Sequence, residues 1–351
     1  MNLLRDQPPS PSRGEKINIL SLGSGDPRNV FFTLWSDQNE STQRQLDFTF
    51  CDIEPAVLAR NVVLYTLVHE QQRLNFTSST IWNLFYHLYV PSKDASVLHD
   101  HLQSLIHLSE TYDRWSASPY GVFIKFVDRQ SLSHVREYWT RYLQFDDAVR
   151  ARTHKAIVSQ AKKTQDAIVF GGIRAAGPLW SELFKLFRGC YKGYWKTGVI
   201  AGNQEDVSQL GTLSPDKINP LFAISSASLG DFAVHYGTDP ISGFHIAELG
   251  TMTGPKPSLD KFASYAKAQF EAWTSSFRRA IERKQITLRM FYGDALFFAH
   301  LLQQQQPSNA TQKPIIERPS ALRKTWSSET VRLDGDAIGG SIQNYRYLKL
   351  G

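Results

Sequence analysis

Glycines and acids gather at the ends of apolar runs in residues 17–60, INILSLGSGDPRNVFFTLWSDQNESTQRQLDFTFCDIEPAVLAR. The run Ile17 to Leu22 ends in Gly23-Ser24-Gly25, Asp26 follows with Pro27 opening a helix, and the run Leu46 to Cys51 delivers Asp52. Glycines let the backbone approach a ligand, a helix N-terminus offers free N–H groups, and an acid beyond the next strand can bind a ribose diol. Gly23, Gly25, Asp26, Arg28, Asp52 and Glu54 are therefore the expected binding set for a nucleoside-containing substrate. Ser21 and Ser24 stand beside N–H groups able to stabilise an oxyanion, which makes them the candidate nucleophiles. Asp294, after Gly293, completes the expected catalytic set, because open α/β sheets place ligand residues at strand carboxyl ends. Each residue also has a plain structural role open to it. Serine suits turns, Asp26 and Asp294 suit helix N-caps, and Arg28 suits pairing with Asp26 or Asp52. Paired carboxylates at 52 and 54 also match a cationic group such as a guanidinium.

The elements that would hold these residues follow from periodicity. Strand, helix and strand lead to Pro55, which opens a second helix running to about Arg73. From Ser78 to about Lys163 the spacing turns helical. Ile81, Leu84, Phe85 and Leu88 share a face, Leu98, Leu102, Leu105 and Ile106 another, and Val135, Tyr138, Trp139 and Tyr142 a third. A short extended piece, Gly121 to Val127, interrupts this helical insertion, placed at about 78–163. Strand-like runs resume at Ala167–Phe170, Leu221–Ser225, Phe232–Tyr236 and Phe244–Glu248. A long helix at about Leu259 to Lys284 then precedes an apolar strand, Ile286–Tyr292. The expectation is an α/β fold: a Rossmann-like, methyltransferase-like sheet over residues 17–305 with a helical insertion. Residues 1–16 read as a disordered N-terminus, and 306–351 as a linker with a C-terminal tail that packs as an edge element or hangs free.

Charge is unevenly spread. From Lys125 to Lys196 there are 14 Lys/Arg and 6 Asp/Glu, an excess of +8, so the rest of the chain carries −2 against a total of +6. Cations interleave with aromatics in Arg136-Glu137-Tyr138-Trp139-Thr140-Arg141-Tyr142 and again from Phe187 to Lys196. Cations neutralise phosphates and aromatic planes stack on bases, so Arg136, Arg141, Lys162, Lys163, Lys192 and Lys196 are the expected contacts for a nucleic acid. A solvated helix face over an aromatic inner face has the same appearance. His99-Asp100-His101 and His107 offer no clean ligand set, so they are expected at the surface and no metal is expected. Two cysteines, Cys51 and Cys190, form no disulfide framework, and no apolar run approaches the roughly 18 residues of a membrane span. A cytoplasmic location without membrane contact is the expectation.

Several stretches resemble a known family. LGSGDPRNVFFTL, CDIEPAVLARNVVLYTL, IWNLFYHLYV, YWKTG at 194–198 and LRMFYGDALFFAHLL at 288–302 are similar to the fungal domain of unknown function 4470. That domain is itself similar to the N-terminal region of a dynein axonemal assembly factor and is often joined to a MYND zinc finger, which two cysteines cannot build. The resemblance implies a methyltransferase-like fold. A weaker resemblance, to fungal arginine-containing cyclodipeptide synthases, implies an enzyme of specialised metabolism that takes aminoacyl groups from tRNA to form a peptide bond, with no cofactor. Two alternatives stand beside it: a small-molecule methyltransferase using S-adenosylmethionine, and a non-catalytic assembly or adaptor protein. Against the first, the position before Gly23 holds Ser21-Leu22 rather than an acid, and Pro27 stands where a third small residue is common.

Overall fold

The computed structural model describes residues 16–23, 26–39, 44–164, 193–194, 196–200, 214–222 and 259–298, with backbone strands at 315–316, 331–332 and 345–350. The expected strands at 167–170, 232–236 and 244–248, the Gln-rich linker, Ser24, Gly25 and Lys192 lie outside the described residues. Chain contacts divide the protein into two compact units, one of residues 1–69, 102–141 and 274–351, the other of residues 70–101 and 142–273.

The first unit is built on a parallel sheet. Strands β1 (Lys16–Leu22), β2 (Gln45–Asp52), β3 (Ile124–Phe126) and β4 (Ile286–Tyr292) lie side by side in the order β3-β4-β2-β1, all parallel. The near-continuous burial of β2 and β4 is what a parallel strand covered on both faces requires. Helix α1 (Arg28–Asn39) joins β1 to β2, and α2 (Pro55–Glu70) follows. All but one of the α2 residues are buried, so α2 is a core helix rather than an amphipathic surface one. The extended piece expected near 121–127 is β3, which joins the sheet at its edge instead of merely interrupting the insertion. Two short strands, β5 (Ile315–Ile316) and β6 (Val331–Arg332), pair antiparallel, and β7 (Tyr345–Leu350) extends the sheet beside β1. The C-terminal tail therefore packs as an edge strand. Lys16, expected in the N-terminal tail, is the first residue of β1.

Alternation along β2 sends Phe48 and Phe50 to one face of the sheet and Asp47, Thr49 and Cys51 to the other. On the first face, Phe50, Tyr65, Phe31 and Phe277 form an aromatic cluster with centroid separations of 5.1–6.5 Å. On the second, Arg289 makes two hydrogen bonds to Asp47 at 2.7 and 2.8 Å, and Lys16 approaches the same carboxylate at 2.9 Å. Burial of Asp47 is thus compensated by two cations, the condition under which an internal charge is tolerated.

The second unit is helical where described. It contains α3 (Ser78–Tyr86), the start of α4 (Ser92–Leu108), α7 (Asp147–Thr164) and the first half of α8 (Leu259–Glu282). Helices α5 (Tyr112–Ala117) and α6 (Arg129–Leu143) lie in or begin in the first unit. Leu221–Phe222, expected to open a strand, lies in a 3-10 turn. Pro220 fixes φ there, and the Asn219 side chain accepts from Leu221 N at 3.1 Å, which holds the chain in a turn. His101, expected at the surface, is buried because it falls on the inner face of α4 with Leu98, Leu102 and Leu105.

The YWKTG motif has a packing role here. Tyr194 donates to Tyr86 O at 2.9 Å, and Gly198 O accepts from Leu88 N at 2.7 Å. Gly198 has φ +72°, and a Cβ there would lie 2.2 Å from Cδ2 of buried Tyr89. Gly198→Ala is expected to destabilise the protein by about 2 kcal/mol, from the left-handed backbone and the displaced ring. Urea unfolding of the variant checks this.

Candidate functional site

Three strand ends are stitched together at the carboxyl edge of the sheet. Gly23 N donates to Cys51 O at 2.8 Å, and Gly293 N donates to Asp52 O at 2.8 Å. Cys51 Sγ lies 3.2 Å from Gly293 O. Gly23 has φ +66°, a conformation that favours glycine and turns the chain sharply off β1. The edge therefore brings Gly23, Asp52 and Asp294 to neighbouring strand termini, as the sequence leads one to expect.

The acids there differ in their partners. Asp26 Oδ1 accepts from Arg28 N at 2.9 Å, capping α1. Its two carboxylate oxygens are also gripped by the Arg28 guanidinium at 2.9–3.1 Å, with Arg28 only 1% exposed. The charge of Asp26 is thus consumed by its neighbour. Asp294 caps the helical turn behind β4, accepting from Phe297 N at 2.9 Å. Asp52 accepts from Glu54 N at 2.9 Å, and Glu54 accepts from Ala56 N at 3.2 Å, so the pair caps the start of α2.

Asp52 has no ion-pair partner among the described residues, and is 8% exposed. Burial pushes its carboxyl up to about 6, helped by the nearby Glu54 charge and opposed by the backbone N–H groups of Glu54 and Ile53. Burial likewise pushes the Cys51 thiol up, with Asp52 and Asp294 adding to the effect. A titratable group perturbed this way at a strand carboxyl end is the pattern of a functional acid. Beside it, Ile53 is 60% exposed, and Leu296 behind β4 is 82% exposed.

Tyr138 of α6, in sequence one aromatic among several in a basic run, belongs to this edge. Its hydroxyl is hydrogen-bonded to Glu54, and burial and that carboxylate push its pKa up. Arg141 stands 4.8 Å over the Tyr138 ring and pairs with Glu137. Ser131 of the same helix accepts from Tyr292 N at 2.9 Å, and His134 packs 4.4 Å from the Tyr292 ring. Helix α6 thus flanks the ends of β4 and β2. Helical spacing marks Tyr138 as an inner-face residue, but nothing in it says that this face meets Glu54.

The remaining expected residues are more scattered. Ser21 is 4% exposed within β1. Arg136 sits on the opposite side of α6 from Tyr138, bonds Ile106 O at 3.3 Å, and lines a groove of about 430 Å³ with Arg129, Glu110 and Asp113. Lys196 is exposed in the second unit, and Lys162 and Lys163 lie on α7. Among the described residues no cluster of three or more His, Cys, Asp or Glu is arranged to hold a metal ion, and no helix is long and apolar enough to cross a membrane.

The strand–helix–strand–helix segment that carries Gly23, Asp26, Asp52 and Glu54 is also where a relationship to other proteins is found. Residues 1–90 match the family model of a domain of unknown function, DUF4470. The DUF4470 match thus takes in β1 through α3, while Tyr138, YWKTG and the β4 end lie beyond it. No curated protein and no solved structure matches the chain.

Proposed function

We propose that this protein is an enzyme that binds the 3′-terminal nucleoside of aminoacyl-tRNA at the carboxyl edge of a Rossmann-like sheet and forms a peptide bond from the aminoacyl group. In its narrower form the reading is an arginine-containing cyclodipeptide synthase. The reading is carried by one observation, the positive-φ Gly23 turn hydrogen-bonded to the strand whose next residue is the uncompensated acid Asp52. Above its pKa of about 6 that acid is a carboxylate able to accept from a ribose diol. Asp52 and Glu54 together also offer two carboxylates to a cationic substrate group such as a guanidinium. Peptide-bond formation needs an amine to attack the ester carbonyl and the ribose oxygen to leave, with N–H groups near the developing oxyanion.

S-adenosylmethionine is the alternative ligand, and Asp52 favours it. The residues fit its ribose better than its ammonium, because Asp26, the acid nearest the Gly23 turn, is closed on Arg28. A non-catalytic assembly or adaptor protein is the third reading. Incubation with labelled S-adenosylmethionine and, separately, with total aminoacyl-tRNA distinguishes them. Release of a peptide product from aminoacyl-tRNA is the expected result. Retention of S-adenosylmethionine alone would sink the lead reading, and binding of neither would favour the adaptor.

A further inference from the structure

Helix α7 (Asp147–Thr164) carries five Lys/Arg and one acid, Asp147. Its buried face is set by Thr153 and Ile157, at 8% and 2% exposure. At about 100° per residue, positions 152, 155, 162 and 163 fall within an arc of about 100° on the other side of the helix. That arc holds Arg152, Lys155, Lys162 and Lys163 and no acid. It spans about 16 Å along the axis.

The cations of α7 are not all alike. Arg150, outside the arc, is turned to the protein. It bonds Phe145 O at 2.9 Å and Asp216 O at 3.0 Å, and stands 5.1 Å over the Phe145 ring. Arg152 and Lys155 are exposed and have no ion-pair partner among the described residues. The aromatic-rich run on α6 differs again: Arg136 and Arg141 lie on different sides of that helix, the first bonded to Ile106 O and the second paired with Glu137. Cations with their charge already matched release little on meeting a phosphate, whereas exposed cations such as Arg152 and Lys155 release counterions together.

We propose that the stripe of α7 on which Arg152 and Lys155 stand exposed is a docking surface for the phosphodiester backbone of an RNA. The stripe has charge complementarity to a linear polyanion, a length to match several phosphates, and a helical scaffold that keeps the cations in register. It presents no exposed aromatic for base stacking in its described part, so the contact is to backbone and is insensitive to base sequence. The identification of the RNA as tRNA rests on the function proposed above. The stripe itself does not.

The test uses the full chain and a fluorescently labelled, uncharged tRNA transcript, with anisotropy followed from about 50 to 300 mM salt, where phosphate contacts dominate affinity. R152Q/K155Q/K162Q/K163Q is expected to lower the slope of log affinity against log salt by about 3, and R136Q/R141Q by less than about 1. Circular dichroism melting confirms that the variants fold, and the single charge reversal K155E is expected to weaken binding in the same direction. An unchanged slope in the quadruple variant overturns the proposal, as does parent protein that binds no tRNA. Equal binding to phosphatidylserine vesicles, lost in the same variant, overturns it in favour of a lipid surface. Peptide release from aminoacyl-tRNA is read in parallel. Salt-dependent docking without product leaves the stripe standing and removes the proposed reaction, while unimpaired product release by the quadruple variant does the reverse.

Discussion

Replacing Asp52 with Asn is expected to stabilise the protein at pH 8 while abolishing ligand binding at the strand edge. The folded state holds the Asp52 carboxyl near 6, against an ordinary value of 3.8, mainly because the group is buried. Between those values the folded chain binds the proton more tightly than the unfolded chain, so stability falls as pH rises from about 4 to about 6 and then levels off. A proton bound that much more tightly corresponds to roughly 3 kcal/mol, at about 1.4 kcal/mol for each tenfold change in affinity. Asparagine keeps an oxygen to accept from Glu54 N and has no charge to desolvate. The variant should therefore gain up to about 3 kcal/mol over the parent at pH 8 and little at pH 4. Urea unfolding of both proteins at the two pH values measures the difference. No gain at pH 8 would mean that burial does not hold the carboxyl up, and would remove the case for a perturbed acid at this edge. Retention of a carboxylate that costs stability at a strand end is what a site kept for binding looks like.

The strands and turns of this edge are legible from local chemistry. Ile17–Leu22 and Ile286–Tyr292 are mainly apolar runs closed by glycine, broken by Asn18 and Ser21 in the first and by Thr287 and Arg289 in the second, and they suit buried parallel strands. Asp26 before Pro27 and Glu54 before Pro55 announce helix starts, and both side chains do cap. Long-range pairings are not legible in the same way. Asp47 meets Arg289 across 242 residues, and Tyr138 meets Glu54 through the packing of α6 on the strand ends. Periodicity fixes which side of a helix is inward but not what that side touches. The same limit applies to charge. Composition marks Lys125 to Lys196 as basic, yet only the contacts separate Arg150 and Arg141, already engaged, from Arg152 and Lys155. His101 reads as polar next to Asp100, but its register with Leu98 and Leu105 puts it inside.

That burial sets up the second large effect, in the opposite pH direction. His87 and His101 lie in the second unit, and burial lowers each imidazole from 6.5 to about 3, with Lys267 adding to the effect at His87 and Arg73 at His101. His87 Nε2 has no hydrogen-bond partner among the described residues, which leaves nothing there to receive a proton's charge. Between about 3 and 6.5 the unfolded chain binds more protons, so the stabilisation is complete above 6.5 and is lost as pH falls. At pH 5 each histidine should have cost about 2 kcal/mol, and the pair about 4. His87→Leu is expected to remove about half of the loss between pH 7.5 and pH 5, because the comparison of the two pH values cancels any change in packing. Over part of that range protonation of Asp52 strengthens the first unit. Amide exchange, read separately on α3 and on β2, should therefore show the helical unit opening first on acidification while the sheet holds. Uniform loss of protection in both would contradict the buried-histidine account.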